Sequence, residues 1–504
     1  MSDKHLLELT SYFIDRGFAI REPEQKRISN WLVPILERLP KVTIAPQLKQ
    51  PNFSMEKFDD ICASADRPEI GSGPTGSCLL HDSKDVHALF QEPIERFVPG
   101  DLQVMSMALF QPKSLASTTD SKDFKVRRLV NENVLNNDQH AHANAEHYLK
   151  LLEQEVDRFQ PAGGILRWGD VDQITRETAL MVVWGRRDHS LRNRVDEMLR
   201  QANMAGLLAL LKPLLTNPSD LHDLIKLFPT DMRERASIIL KEGKQGEYLE
   251  EHQNWIHRRI ESAGKKSLAS LLVNQLKPKG SLPKDEAADQ LTHWLFAARG
   301  TVTVHTAYAL CFVAANKQLQ QTLIGALHQS HGSLQDIQQS LASGRPSNAL
   351  QMIENLSLEA GRLFPAVPFM ARKWAGTKSE RPDFWQDDCP NYMVHNKGNN
   401  RRSEMAGNEP EKVKIDRWRN RKSGVDPKVK RIKNGPTMFG GGSKRCPGMN
   451  LGLLLSTGLV AQLLLEYRFD AVRNSAPGQS KMNTDNVPET FDQFGIELIV
   501  QPRW

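Results

Sequence analysis

The chain has 504 residues, 39% of them hydrophobic and 25% charged, with a formal net charge of +6, the balance of a soluble globular protein large enough to bury a sizeable core. Five cysteines (Cys62, Cys78, Cys311, Cys389, Cys446) are odd in number and scattered, which excludes a disulfide framework and predicts reduced thiols. Asp3, Lys4, Glu8, Asp15, Arg16 and Arg21 interrupt the first 45 residues, so that stretch has neither a signal-peptide core nor a spanning helix, and a cytoplasmic protein without a transmembrane anchor is expected.

Residues 6–39 read as an amphipathic helix with breaks, and the Pro-rich region through residue 100 as short strands. From Asp120 the pattern turns helical: apolar positions recur at helical spacing over 123–159, 171–214 and 221–276, the last broken near Pro229. A Pro/Gly cluster at 277–283 precedes a long helix over 284–328. Around 295–315 that helix is apolar on nearly every face, as a buried central helix is. Another helix over 347–363 stops before Pro365, the next stretch is irregular with short strands at best, and the chain closes with a helix over 449–467 and a strand over 496–501. Helix dominates strand, and there is no internal repeat.

The charge is uneven. Between Arg401 and Arg445 stand 14 Lys/Arg against 5 Asp/Glu, a basic cluster of the kind that is usually a solvated face and that would otherwise suggest nucleic acid. Base-stacking aromatics are missing from it, Trp418 being the lone aromatic between Arg401 and Met438, so no nucleic-acid partner is expected and an acidic protein partner fits better. His140, His142 and His147, with Glu146, share no helical face well and read as solvated.

The most informative segment is Phe-Gly-Gly-Gly-Ser-Lys-Arg-Cys-Pro-Gly at 439–448. Its glycines permit a tight turn in which amides converge on the Cys446 sulfur. Lys444, Arg445 and the N-terminus of the following helix all predict a lowered thiol pKa. One thiolate cannot close a zinc site, whereas haem brings four nitrogens of its own and needs one axial ligand. Taken alone, the loop could equally be a helix-capping turn with an inert buried thiol.

The segment resembles the haem-binding loop of the cytochrome P450 superfamily, whose Phe, Gly, basic residue, Cys and Gly fall on Phe439, Gly442, Lys444, Cys446 and Gly448. Lys444 departs from the commoner Arg, keeping the charge but not the planar fork. Upstream, Glu359-Ala-Gly-Arg362 before Pro365 and Pro368 is similar to the family's Glu-x-x-Arg helix, and Ile415-Asp-Arg417-Trp makes Arg417 the third member of that network. Arg372 and Arg128 match positions where relatives place arginines near the haem propionates. The resemblance implies a mainly α fold with a small β-rich part, one domain over 1–504. Residues 1–119 would be an N-terminal region of short strands and substrate-entrance segments, and 120–504 a helical haem-binding core with a basic insertion near 401–433. Haem b (iron protoporphyrin IX) would lie between the central helix and the loop, with Cys446 as its metal ligand.

In most relatives the central helix carries Ala/Gly, Gly, any residue, an acid and Thr, the last two assisting oxygen activation. Here residues 296–305 read Phe-Ala-Ala-Arg-Gly-Thr-Val-Thr-Val-His. Matching Gly300 puts Thr303 in the alcohol position and Val302 in that of the acid; the other register uses Thr301, with Gly300 replacing the acid. Both lose the carboxylate. The first is preferred, because Gly300 would then let the helix bulge and leave room for dioxygen. Arg299 needs an anion or water, whether a substrate carboxylate, a propionate or solvent. The implied activity is monooxygenation of an apolar small molecule by a monomer fed by a ferredoxin or flavodoxin and its reductase. A peroxygenase or an isomerase/lyase needing no external electrons is the alternative, and a non-catalytic haem-binding protein a third.

Overall fold

The computed structural model describes residues 69–70, 77–80, 83–100, 103–104, 107, 111–136, 138–197, 230, 233, 242–260, 262–275, 284–367, 369–382, 391–418, 437–474, 481–488 and 495–503. The helix expected over 6–39 and the core of the basic stretch, 419–436, lie outside them. In chain order the helices are α1 (Ser83–Gln91), α2 (Ser121–Leu135), α3 (Asp138–Asp157), α4 (Trp168–Trp184), α5 (Glu242–Ile260), α6 (Leu268–Gln275) and α7 (Lys284–Ala315). They continue with α8 (Lys317–Ser330), α9 (Leu334–Ala342), α10 (Asn348–Leu363), the short α11 (Asn396–Asn399) and α12 (Ser403–Ala406), and α13 (Met449–Glu466).

Local chemistry cuts these helices where the apolar pattern alone does not. The expected helix over 284–328 is two, because the Asn316 side chain accepts the Leu319 amide at 3.0 Å and starts α8 afresh. Asp120 caps α2 in the same way through the amides of Lys122 and Asp123. Gly185 ends α4 at φ +78°, with its backbone pressed against Gly264 so closely that neither position admits a side chain.

Helix α7 is the axis of the molecule, packed against α4, α5, α10, α13 and strand β7 (Tyr467–Asn474). From Val304 to Ala314 nearly all of its side chains are buried. α13 is long and apolar enough to cross a membrane by composition, yet 78% of it is buried, and it packs on α3, α7 and α10 as a core helix.

The short strands expected before residue 100 are present, and later segments share their sheet. β1 (Glu69–Ile70), β2 (Ser77–Leu80) and β3 (Phe97–Pro99) join β5 (Phe369–Trp374) and β6 (Asn391–His395) in one sheet of order β1-β2-β6-β5-β3. β2 runs parallel to β6, with Cys78 opposite Tyr392. The stretch read as irregular thus supplies two strands of this sheet. A second sheet, β4-β8-β7, pairs β4 (Ile165–Arg167) and β7 with β8 (Ile496–Pro502), the closing strand expected over 496–501.

Candidate functional site

The loop before α13 is shaped by its glycines. Gly440 and Gly442 sit at φ +70° and +59°, a region that side-chain-bearing residues avoid. A Cβ on Gly442 would fall 1.8 Å from the Phe90 carbonyl oxygen at the end of α1. The backbone therefore folds tightly over α1, makes one 3₁₀ turn at Gly442–Lys444, and brings the Cys446 amide 2.8 Å from the Phe439 carbonyl. Phe439 and Cys446 rest on a floor of Leu358, Trp418, Met438, Met449 and Leu453.

The thiol itself departs from expectation. Burial pushes the Cys446 pKa up, and the Gly448 amide, Arg128 and Arg445 offset this only in part, while Glu132 adds to it. In this protein matrix the sulfur is therefore protonated at neutral pH, and it takes a coordinating metal to hold it as thiolate. Among the described residues no cluster of His, Cys, Asp and Glu could hold a metal ion, so the thiol stands as a single protein donor, the number a porphyrin requires.

Two buried basic side chains face the same region. Arg372, on β5, is 7% exposed and among the described residues donates to its neighbour's carbonyl, Ala371, at 2.9 Å. Burial lowers its pKa to about 10. The Lys444 ammonium donates to the Phe97 carbonyl and lies 5.9 Å from the Phe124 ring. Burial first and Arg372 second push its pKa down to about 5. No described carboxylate pairs with either. A buried guanidinium beside an amine that burial discharges until an anion arrives fits a ligand that brings carboxylates, and haem brings two. Arg128 is placed differently: it donates to the Arg445 carbonyl and is already paired with Glu132, one turn along α2.

Glu359 and Arg362, both fully buried, form a two-pronged pair at 2.9 and 2.8 Å on α10. Arg362 also donates to the carbonyls of Asn400, Pro410 and Lys412, so the ion pair clamps the chain that leads into the cysteine loop. Arg417 Nε stands 3.2 Å from Glu359 Oε1, as an ion pair rather than an aligned hydrogen bond. The sequence reading missed Trp418, whose indole N–H donates to Glu359 at 2.8 Å, and the Lys414 amide at 3.0 Å. With these the carboxylate's acceptor sites are filled. The basic stretch is correspondingly not a solvated face throughout: Arg401 is 2% exposed, donates to the Leu363 carbonyl and lies 5.3 Å from the Phe364 ring.

On α7 the structure separates the two threonines. Thr303 is fully buried against α4, its hydroxyl 2.6 Å from that of Thr175 and 2.9 Å from the Arg299 carbonyl. Thr301 donates to the Ala297 carbonyl at 2.8 Å and is half-buried. His305 meets the Phe439 ring edge-on at 5.4 Å and so marks the face turned to the cysteine loop. Thr303, two residues from it, lies about 200° around the helix; Thr301, four residues away, only about 40°. Thr301 is thus the threonine nearer the face turned to the loop, and Thr303 the one packed on α4. The helix also runs as regular α through Gly300, without the expected bulge. Arg299 finds its anion within the chain, in Asp196 at 2.6 Å.

A family model described as Cytochrome P450 matches residues 34–488, most of the chain. Among curated proteins, the chain is similar to a probable cytochrome P450 4s3 of Drosophila melanogaster, 23% identical over 240 residues, which cover 47% of this chain and 43% of that relative. The match thus spans less than half the length of the relative.

Proposed function

The chain belongs to the cytochrome P450 family, whose members are haem-thiolate monooxygenases that bind haem b through a cysteine, and on that premise we propose that it inserts one atom of dioxygen into an apolar small molecule. Electrons come from a separate ferredoxin or flavodoxin with its reductase, and the enzyme works as a cytoplasmic monomer. The observation that carries the reading is the lone Cys446 donor beside two buried basic side chains that have no carboxylate among the described residues.

When bound, haem b supplies the redox centre at which dioxygen is activated. Cys446 would hold its iron, while Lys444 and Arg372 would neutralise its carboxylates, with Arg128 beside the loop. Gly442 and Gly448 let the backbone close on the sulfur, and Phe439 limits its contact with water. Glu359, Arg362 and Arg417 hold the loop rigid against α10. Thr301 gives its proton to the Ala297 carbonyl and keeps its lone pairs for a water, which positions a proton donor on the face turned to the loop.

A second reading, a peroxygenase or an isomerase/lyase that needs no external electrons, is favoured by one feature: Gly300 stands where the acid would precede Thr301. Purified protein is expected to give the red-shifted ferrous carbon monoxide band of cysteinate coordination, and Cys446→Ala to lose it. Product formation that needs dioxygen and a donor pair supports the first reading; turnover with peroxide alone supports the second. Recovery of the protein with membranes after cell fractionation would overturn the cytoplasmic assignment.

A further inference from the structure

We propose that His305 is a positioning residue for the cysteine ligand: wedged between Gly361 of α10 and Phe439, it fixes where Phe439 sits and, through the Phe439 carbonyl that accepts the Cys446 amide, where the sulfur sits. The inference rests on the reading that Cys446 holds haem. His305 is 5% exposed and forms no salt bridge among the described residues. Its ring fills the space where Gly361 lacks a side chain, since a Cβ there would meet Nε2, Cε1 and Cδ2 at 2.6, 2.7 and 3.3 Å. On its other side the ring stands at 69° to Phe439, with centroids 5.4 Å apart, a favourable edge-to-face geometry for aromatic groups. Phe439 then passes the constraint to Cys446 through the 2.8 Å backbone hydrogen bond and the apolar floor the two residues share.

Gly361 lies between Glu359 and Arg362, so the helix that carries the buried ion pair is also the helix against which the imidazole braces. Burial lowers the His305 pKa to about 4, so the ring is neutral at physiological pH and acts by shape and quadrupole rather than by charge. An aliphatic side chain of similar length lacks the flat profile that this slot accepts.

The hydrophobic shell around a metal ligand controls water access and local dielectric, and with them the redox potential. Removing the wedge frees Phe439 to tilt and lets water reach the sulfur. The reduced site carries one more negative charge than the oxidised one, so more polar surroundings favour reduction. The test is a spectroelectrochemical titration of the holoprotein. His305→Ala is expected to raise the potential by the equivalent of a tenfold change in the oxidation–reduction equilibrium, about 59 mV for one electron, and His305→Phe, which restores a flat ring, to return it to the parent value. Should His305→Ala fail to take up haem, Gly361→Ala loads the same wedge from the other side and is expected to shift the potential. A potential unmoved in these variants, while Phe439→Ala moves it, overturns the proposal. Absence of the cysteinate band in the parent protein would instead overturn the haem-thiolate reading; a normal band with an unmoved potential sinks this inference alone.

Discussion

Arg362 and Arg299 are both arginines buried in helices and paired with carboxylates, yet they solve the problem of a buried guanidinium in different ways. Arg362 pairs with Glu359 one turn away on its own helix and spreads its remaining donors over three carbonyls of the segment leading to the cysteine loop. Arg299 reaches Asp196 on a distant segment, and Asp196 in turn lies 4.0 Å from Arg176 of α4. The first pair is complete within one helix and imposes order on its surroundings. The second exists only once α7 and the segment around Asp196 have docked. Beneath the cysteine the Glu359–Arg362 pair is fully enclosed, whereas on the far side of α7 the Asp196 side chain keeps 12% of its exposure.

The sharpest break of this contrast is Arg362→Ala. It leaves Glu359 buried at 0% exposure with only the partly exposed Arg417 as counter-charge, and a loss of about 3 kcal/mol is expected. Urea denaturation and the haem content of the purified variant check it. Asp196→Ala is expected to cost less, about 2 kcal/mol, because the freed guanidinium has a route to solvent. A second replacement, Arg299→Met, is expected to recover part of that loss; no recovery in a double-mutant cycle would mean the two residues do not act as a pair.

The two threonines sharpen the comparison at smaller scale. Thr303→Val removes the buried contact with the Thr175 hydroxyl, which keeps its bond to the Val171 carbonyl, and is expected to cost about 1 kcal/mol of stability while leaving turnover unchanged. Thr301→Val is expected to leave stability nearly unchanged and to lower the product formed per electron pair consumed. Thermal melts and coupled turnover assays on both variants separate the roles, and the reverse pattern would restore Thr303 to the oxygen-activating position.

Acid should loosen the far side of α7. There His252 is fully buried, bonded to Thr292 of α7 at 2.9 Å and to Arg194 at 3.1 Å. Burial first and Arg194 second lower its pKa to about 3, below the unfolded value of about 6.5. Between those values the unfolded chain binds more protons, so this contribution to stability is complete above pH 6.5 and declines as pH falls toward 3. Hydrogen exchange in α5 and the first turns of α7 is expected to speed up over pH 6.5 to 5, and His252→Gln to flatten the dependence.

Much of the site could be read before any coordinates because it is written in short-range rules. Glycines at 440 and 442 announce a turn with positive φ, and the spacing of Glu359 and Arg362 announces a shared helical face. Trp418 escaped notice because an aromatic beside an arginine has no signal of its own; only the fold brings its indole to Glu359. Thr303 was preferred over Thr301 because a glycine match carried more weight than helix rotation, which becomes fixed only when His305 packs on Phe439 and Thr303 on Thr175. The sulfur's pKa was misjudged for a similar reason. Neighbouring charges are visible in a sequence, but the desolvation that outweighs them is not.

The amino-acid order alone determined a mainly helical chain with one cysteine set in a glycine-bent loop and an ion pair upstream of it, since torsional preference and i, i+3 geometry act over a few residues. Tertiary structure decided which threonine faces that loop, that Arg299 answers to Asp196, that Lys444 and Arg372 lie together with no described carboxylate paired to them, and that early and late strands share one sheet. Those outcomes depend on how packed helices rotate and on which distant segments exclude water together, and neither property is encoded in local spacing.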